Sequence, residues 1–467
     1  MALVAGGSPA VALSADTAQQ AASSSGAGES PSALAAASGE PVEVVAERTE
    51  YTQTMANPDG TFTLTQSTTP QRVRADDGSW ESVDATLERR VDGTVGPKAA
   101  VVHLAFSGGG SGKDLIRLSN DRGALTLGWP GQLPQPQLNG DTATYPEVLE
   151  GVDLKLTATA EGFREVLVVK SAAAAANPAL EEIKLAAAGD GLRIEPGAGG
   201  GIRAVDGDGN TVFKGPAGLM WDSAGSTASG ERASRTLRSL PPAQAQTAEE
   251  PPVDESARPG DGDASSILPV KVEEGAVTVE PDLELLRGEE TVYPVFIDPP
   301  MGAGHSERTV LSSDGDRFWA FDGDYGLGKC GSADGYYCGN GYVNRILFEF
   351  APTKLTGKKI IDATFRAYET WSFNCTAHWV DLKRTNNISE GTRWPGPSVL
   401  DHIGDTNISA GRGDNCSPSQ PDSWVEFNDS SAETDENLSS TVQTFADGGI
   451  ARLTLMLKAK DETDPRA

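Results

Sequence analysis

The sequence predicts an all-β protein of two antiparallel β-sandwich modules, the second a jelly roll, with a disordered N-terminus and linker. Three observations carry that expectation. Short runs alternate apolar and polar residues with period two, as strands with one buried face do. Turn sequences built on Asp-Gly and Asn-Pro-Asp-Gly separate those runs. The 467 residues exceed what one core serves, and Gly (53) and Pro (29) are too frequent for a helical protein.

The elements follow in chain order. Residues 1–41 read as a truncated signal-peptide-like, disordered segment: Met1–Ala15 is apolar and small without a basic start, and 16–41 have few large apolar side chains. An N-terminal β-rich module spans 42–222. In it Asn57-Pro58-Asp59-Gly60 joins a strand at 43–54 to Thr61–Thr65, and Asp76-Asp77-Gly78 joins Val73–Ala75 to Trp80–Val83. Val152–Ala158 alternates cleanly, turns at Glu161-Gly162 and returns as Phe163–Lys170. Ala172–Ala176, stopped by Asn177-Pro178, allows one or two helical turns. Asp206–Asn210 is a turn between Ile202–Val205 and Thr211–Lys214.

Residues 223–266, rich in Ser, Ala, Gly, Pro and Glu, read as a flexible linker or loop excursion. The strands in 267–300 complete the first module on that reading. The second module, 301–460, has strands at Arg317–Phe321, Asn344–Phe350, Ile360–Thr370, His378–Arg384, Trp424–Phe427 and Ala451–Lys458, and it holds five of the eight tryptophans. Residues 461–467 read as the start of a linker to further C-terminal modules.

Charge and cysteines narrow the function. Acidic residues exceed basic ones by 29. Such a surface repels the nucleic-acid backbone and anionic membranes, so no nucleic-acid partner is expected. No 18-residue apolar run is present, so no transmembrane segment is expected. Cys330, Cys338, Cys375 and Cys416 all fall in one stretch, without a C-x-x-C knuckle. They read as disulfides formed in an oxidising, extracellular compartment. Three connectivities are open. The favoured one is Cys330–Cys338 with Cys375–Cys416, whose loops contribute about 2.5 and about 4 kcal/mol on the chain-entropy model.

Arg345–Phe350 followed by Leu355–Phe365, through Gly357, resembles the centre of the DNRLRE domain, a carbohydrate-binding-module-like jelly roll of secreted bacterial proteins. Thr144–Leu154 and Val292–Pro299 are similar to segments of large actinobacterial secreted proteins, in which DNRLRE, LamG-like or RHS/YD-repeat modules follow. The resemblance implies a secreted, non-catalytic module that binds polysaccharide or cell-wall glycan or serves as a scaffold. Its alternative implication is the N-terminal delivery or encapsulation segment of an RHS-type polymorphic toxin.

Candidate sites follow from residue chemistry. Tyr336, Tyr337, Trp371 and Trp394 lie in or beside polar loops, where an aromatic ring can serve as a sugar platform. Asp314, Asp316, Asp322 and Asp324 place hard oxygen ligands in tight turns that suit a structural Ca2+, although neither turn is an EF-hand; no cofactor is essential. Ser107–Lys113 lacks the first glycine of a phosphate loop. Arg412-Gly413-Asp414 is an adhesion tripeptide by spelling alone. His378 alternates with Val380 and Leu382, which suits a strand position better than a general base. No catalytic constellation emerges, so the chain reads as no enzyme.

Overall fold

The computed structural model describes residues 2–4, 12–18, 30–75, 77–197, 201–215, 218–224, 256, 259, 263–299, 307–315, 317–319, 324–331, 341–389, 391–429 and 436–465. Its strands pair antiparallel throughout, and the chain divides into two compact units. One unit takes its described residues from 84–299. The other takes them from 2–83, 307–331 and 341–465.

The 84–299 unit is a sandwich of an eight-stranded and a seven-stranded sheet. The Val152–Ala158 and Phe163–Val169 hairpin anchors the second of these, with Ala158 opposite Phe163. Its inward positions Val152, Leu154 and Leu156 join Leu104, Leu118 and Leu127 of the other sheet in one core. Late strands complete both layers. Ala276–Val279 pairs with Ile183–Asp190, and Val295–Asp298 lies between Phe163–Val169 and Gly218–Trp221. Asp222 ties the base of the excursion, accepting from the amides of Ala264 (2.8 Å) and Val292 (3.2 Å). The Ala172–Ala175 helix is capped by Ser171.

In the Ser107–Lys113 stretch, Gly110–Ser111 pairs with Gln132–Leu133. A Cβ on Gly112 would lie 2.4 Å from the Gly131 carbonyl, so packing accounts for that glycine.

The second unit is also a sandwich. One layer runs Arg317–Trp319, Glu307–Ser312, Tyr342–Phe350, Leu453–Ala459, His378–Thr385, Val399–Ile408. The C-terminal strand thus enters between two earlier ones, with Phe348 opposite Leu455 and Leu382 opposite Leu457. The facing layer centres on Lys359–Trp371, flanked by Ser423–Asn428 and Ala12–Ala18. Phe348, Phe350, Phe365 and Phe427 meet between the layers with centroids 5.8–6.3 Å apart. The amphipathic helix Leu438–Ala446 buries Leu438, Val442 and Ala446 against the same core.

One expectation needs correction. Residues 42–83 belong with the C-terminal unit, not with 84–222: Leu64 enters its core and the Arg308 guanidinium donates to the Thr68 carbonyl at 3.2 Å. In the stretch before Val42 the described elements are Ala2–Val4, Ala12–Ala18 and Pro31–Ser38. Ala12–Ala18 pairs with Thr61–Ser67 and Lys359–Trp371 through backbone hydrogen bonds, which need no large side chains. Pro31–Ser38 is a helix with Ser30 capping its N-terminus, Pro31 in its first turn and Gly39 closing it at φ 74°.

Candidate functional site

One end of the second unit gathers five strand ends. Lys359–Trp371 stops there and His378–Thr385 starts; His378 lies opposite Ile408, Glu369 opposite Ser423 and Val380 opposite Ala459. The loops 372–377 and 409–422 close this end and are fastened to each other. Cys375 and Cys416 form a disulfide with Cα atoms 5.6 Å apart. Ser409 Oγ lies 2.8 Å from the Asn374 carbonyl and 2.9 Å from Ser372 Oγ, and the Gln420 amide donates to the Cys375 carbonyl at 3.0 Å. Gly411 (φ 76°) passes so close to Thr370 that a Cβ would fall 2.1 Å from its carbonyl carbon. Only glycine fits that approach.

Two tryptophans stand on this rim. Val380 and Leu382 point into the core, so Trp379 must point outward, and it is 44% exposed. The Lys460 ammonium stands 4.8 Å from its ring centroid and donates to Asp405 Oδ2 at 2.9 Å. Asn407, exposed, lies opposite Trp379 on the neighbouring strand. Trp371 is half-buried, with its ring edge-on to Phe373 and the Arg412 guanidinium 5.7 Å from its centroid. Arg412 of the adhesion-like tripeptide is therefore engaged with an aromatic ring, and the next residue, Gly413, bridges to Gln420.

Beneath the rim, polar groups lie between the sheets. Glu369 shares the inward face of its strand with Phe365 and Ala367; it is fully buried, and neither carboxyl oxygen has a hydrogen-bond partner. Burial pushes its carboxyl up to about 7, against a weaker pull from the Ala410 backbone amide. His378 faces inward from the opposite sheet, and its Nε2 also has no partner. Burial lowers its pKa, with the Asp464 carboxylate acting in the other direction. Arg412 Nε is a fourth buried atom here without a partner.

The other expected site residues are dispersed. Trp394 lies under the Arg345 guanidinium, 4.5 Å from its centroid, and covers an apolar patch of Leu311, Leu347 and Met456 on the sheet's outward face. Arg345 is itself held by a two-pronged pair with Glu462, both distances 2.7 Å. Trp394 thus closes a patch and is not grouped with Trp371. Tyr336, Tyr337, Asp316, Asp322 and Cys338 lie outside the described residues, and only the backbone of Asp324 is described. Asp314 is exposed in a turn. Cys330 is disulfide-bonded. Among the described residues no three His, Cys, Asp or Glu side chains are grouped to hold a metal ion. In the Asp206 turn, Oδ1 accepts from the Asn210 amide (2.9 Å) and Oδ2 from Arg122 (2.5 Å); Arg122 holds the carboxyl down at about 2.

Trp379 and Lys460 are the residues that sequence reasoning passed over. The same alternation that assigned His378 inward would have turned Trp379 outward. Comparison with family models, with curated proteins and with solved structures finds no match to this chain.

Proposed function

We propose that this chain is a non-catalytic glycan-binding protein of the extracellular space, and that the disulfide-braced end of its second unit is the binding surface. The observation that carries the reading is Trp379. A tryptophan 44% exposed on a rigid strand, beside an exposed amide and a lysine–carboxylate pair, offers the flat apolar face and flanking donors and acceptors that a sugar ring needs. Trp371 and the clamped loops lie at the same end of the unit.

The disulfide supports an oxidising compartment. The DNRLRE-like segment, Arg345–Phe350 with Leu355–Phe365, supports a carbohydrate-binding-module-like domain within a larger secreted protein. It supplies a core strand and its sheet-crossing successor on this unit. Asp381 and Asp405 face each other across neighbouring strands, and each is engaged by a lysine: Lys383 at 3.0 Å and Lys460 at 2.9 Å. That arrangement favours acceptance of hydroxyl groups without turnover. The test is retention on a panel of insoluble polysaccharides with product analysis of the supernatant. Saturable retention without released sugar is expected, and release of sugar that a single carboxylate substitution abolishes would show an enzyme instead.

A further inference from the structure

We infer that the ligand is an uncharged glycan, and that the Lys460–Asp405 pair beside Trp379 sets this preference by leaving the ring's surroundings without surplus charge. The inference rests on the glycan-binding reading and names the class of sugar. Val380 and Leu382 point into the core, so Trp379 and Asp381 share the outward face of their strand. Asn407 and Asp405 stand opposite them on the next strand and share that face. Lys460 follows the strand on the other side. Its ammonium lies 4.8 Å from the Trp379 ring centroid and donates to Asp405 Oδ2 at 2.9 Å. The neighbouring charges are matched as well. Lys383 Nζ is 3.0 Å from Asp381 Oδ2, Lys458 Nζ is 3.3 Å from Glu462 Oε2, and His402 Nε2 is 4.0 Å from Asp405 Oδ2.

A charged sugar is penalised here whichever its sign. A carboxylate or phosphate must draw Lys460 away from Asp405, whose side chain is only 8% exposed and would be left as a desolvated charge without its partner. The excess of 29 acidic residues repels a polyanion at longer range. An ammonium group at the ring meets Lys460 already there, a like charge at close quarters. The Arg412 guanidinium serves the ring of Trp371, a residue of the other layer. A neutral sugar incurs none of these penalties. Its C–H face can cover the exposed indole, while its hydroxyls bond to the exposed Asn407 amide and to the lysine–carboxylate pair without separating the two charges.

The experiment measures retention of the full chain on insoluble polysaccharides, each backbone presented in neutral, carboxylated and aminated form, at low and at high salt. The wild-type protein is expected to bind at least one neutral backbone about tenfold more tightly than either charged form of it. Its retention on the neutral form is expected to be insensitive to salt. Lys460→Met leaves Asp405 without its cation and is expected to raise retention on the aminated form at low salt. Asp405→Asn releases Lys460 and is expected to raise retention on the carboxylated form. The double variant removes both charges and is expected to return to the neutral preference, with circular dichroism and melting showing that all three variants fold. Wild-type binding that is equal on the three forms or tighter on a charged one would overturn the inference and leave the glycan-binding reading standing. So would folded single variants whose preference does not move. Absence of retention on every form of every backbone would remove the glycan-binding reading itself, and the inference with it.

Discussion

Lys460 and Trp379 meet at the end of the second sandwich, the ammonium 4.8 Å from the ring centroid and bonded through its backbone amide to the Trp379 carbonyl at 3.0 Å. The C-terminal strand thus delivers a cation to the outward ring of its neighbour. A cation–aromatic contact at an exposed site contributes about 0.5–1 kcal/mol, too little to explain a large exposed tryptophan by stability alone.

The core is held by an aromatic knot. Phe365 touches Phe348, Phe350 and Phe427 across both layers. Phe365→Ala is expected to destabilise the second unit by about 3–5 kcal/mol in chemical denaturation, through lost burial and the cavity left behind. A loss below 1 kcal/mol would show that the layers do not pack as described.

The clamp is testable separately. Cys375 and Cys416 enclose a loop with a sequence separation of 41. Replacing both with serine is expected to cost about 4 kcal/mol on the chain-entropy model. Gly411→Ala, with the bond intact, is expected to lower the melting temperature as well, because its Cβ would meet the Thr370 backbone. A neutral Gly411→Ala would mean that the loop has room the structure does not show.

Stability should depend on pH with a definite sign. Glu165 is fully buried between the sheets of the first unit; burial, reinforced by the Asp298 carboxylate, raises its carboxyl to about 8. Glu369 stands at about 7. The folded state holds protons that the unfolded chain releases near 4.5, the ordinary value for both groups. Their contribution is therefore fully present below that value and is lost as pH rises through about 7 and 8. Denaturation midpoints are expected to fall from mildly acidic to mildly alkaline pH. Glu165→Gln should flatten that slope for the first unit, and an unchanged slope would contradict the buried placement.

Much of this fold was legible because its turns carry their own chemistry. Asp59, Asp77 and Asp92 each precede Gly and then Thr or Ser, and each carboxylate accepts from the backbone amide and hydroxyl of that third residue. Those bonds lower each carboxyl's pKa and place part of the excess acid in turns. What stayed hidden was non-local. Nothing in Thr52–Ser67 reveals that its sheet continues through Lys359–Trp371, hundreds of residues away, by way of Ala12–Ala18. Val399–Ile408 escaped notice because Asp, His and Gly interrupt its alternation, with a bulge where Lys383 meets His402. At the site, Trp371 was visible as a loop-edge aromatic. Glu369 was not, since its burial depends on the opposite sheet.

The central claim is that the clamped end binds glycan through Trp379, and one measurement tests it most directly. Wild-type protein and Trp379→Ala are titrated against the same insoluble polysaccharide panel, with melting temperature measured on both. The account predicts at least one saturable glycan for the wild type and about tenfold weaker retention for the variant. It also predicts a stability change within about 1 kcal/mol, because the ring is nearly half exposed. Equal retention of the two proteins at equal stability would contradict it and move the binding surface elsewhere.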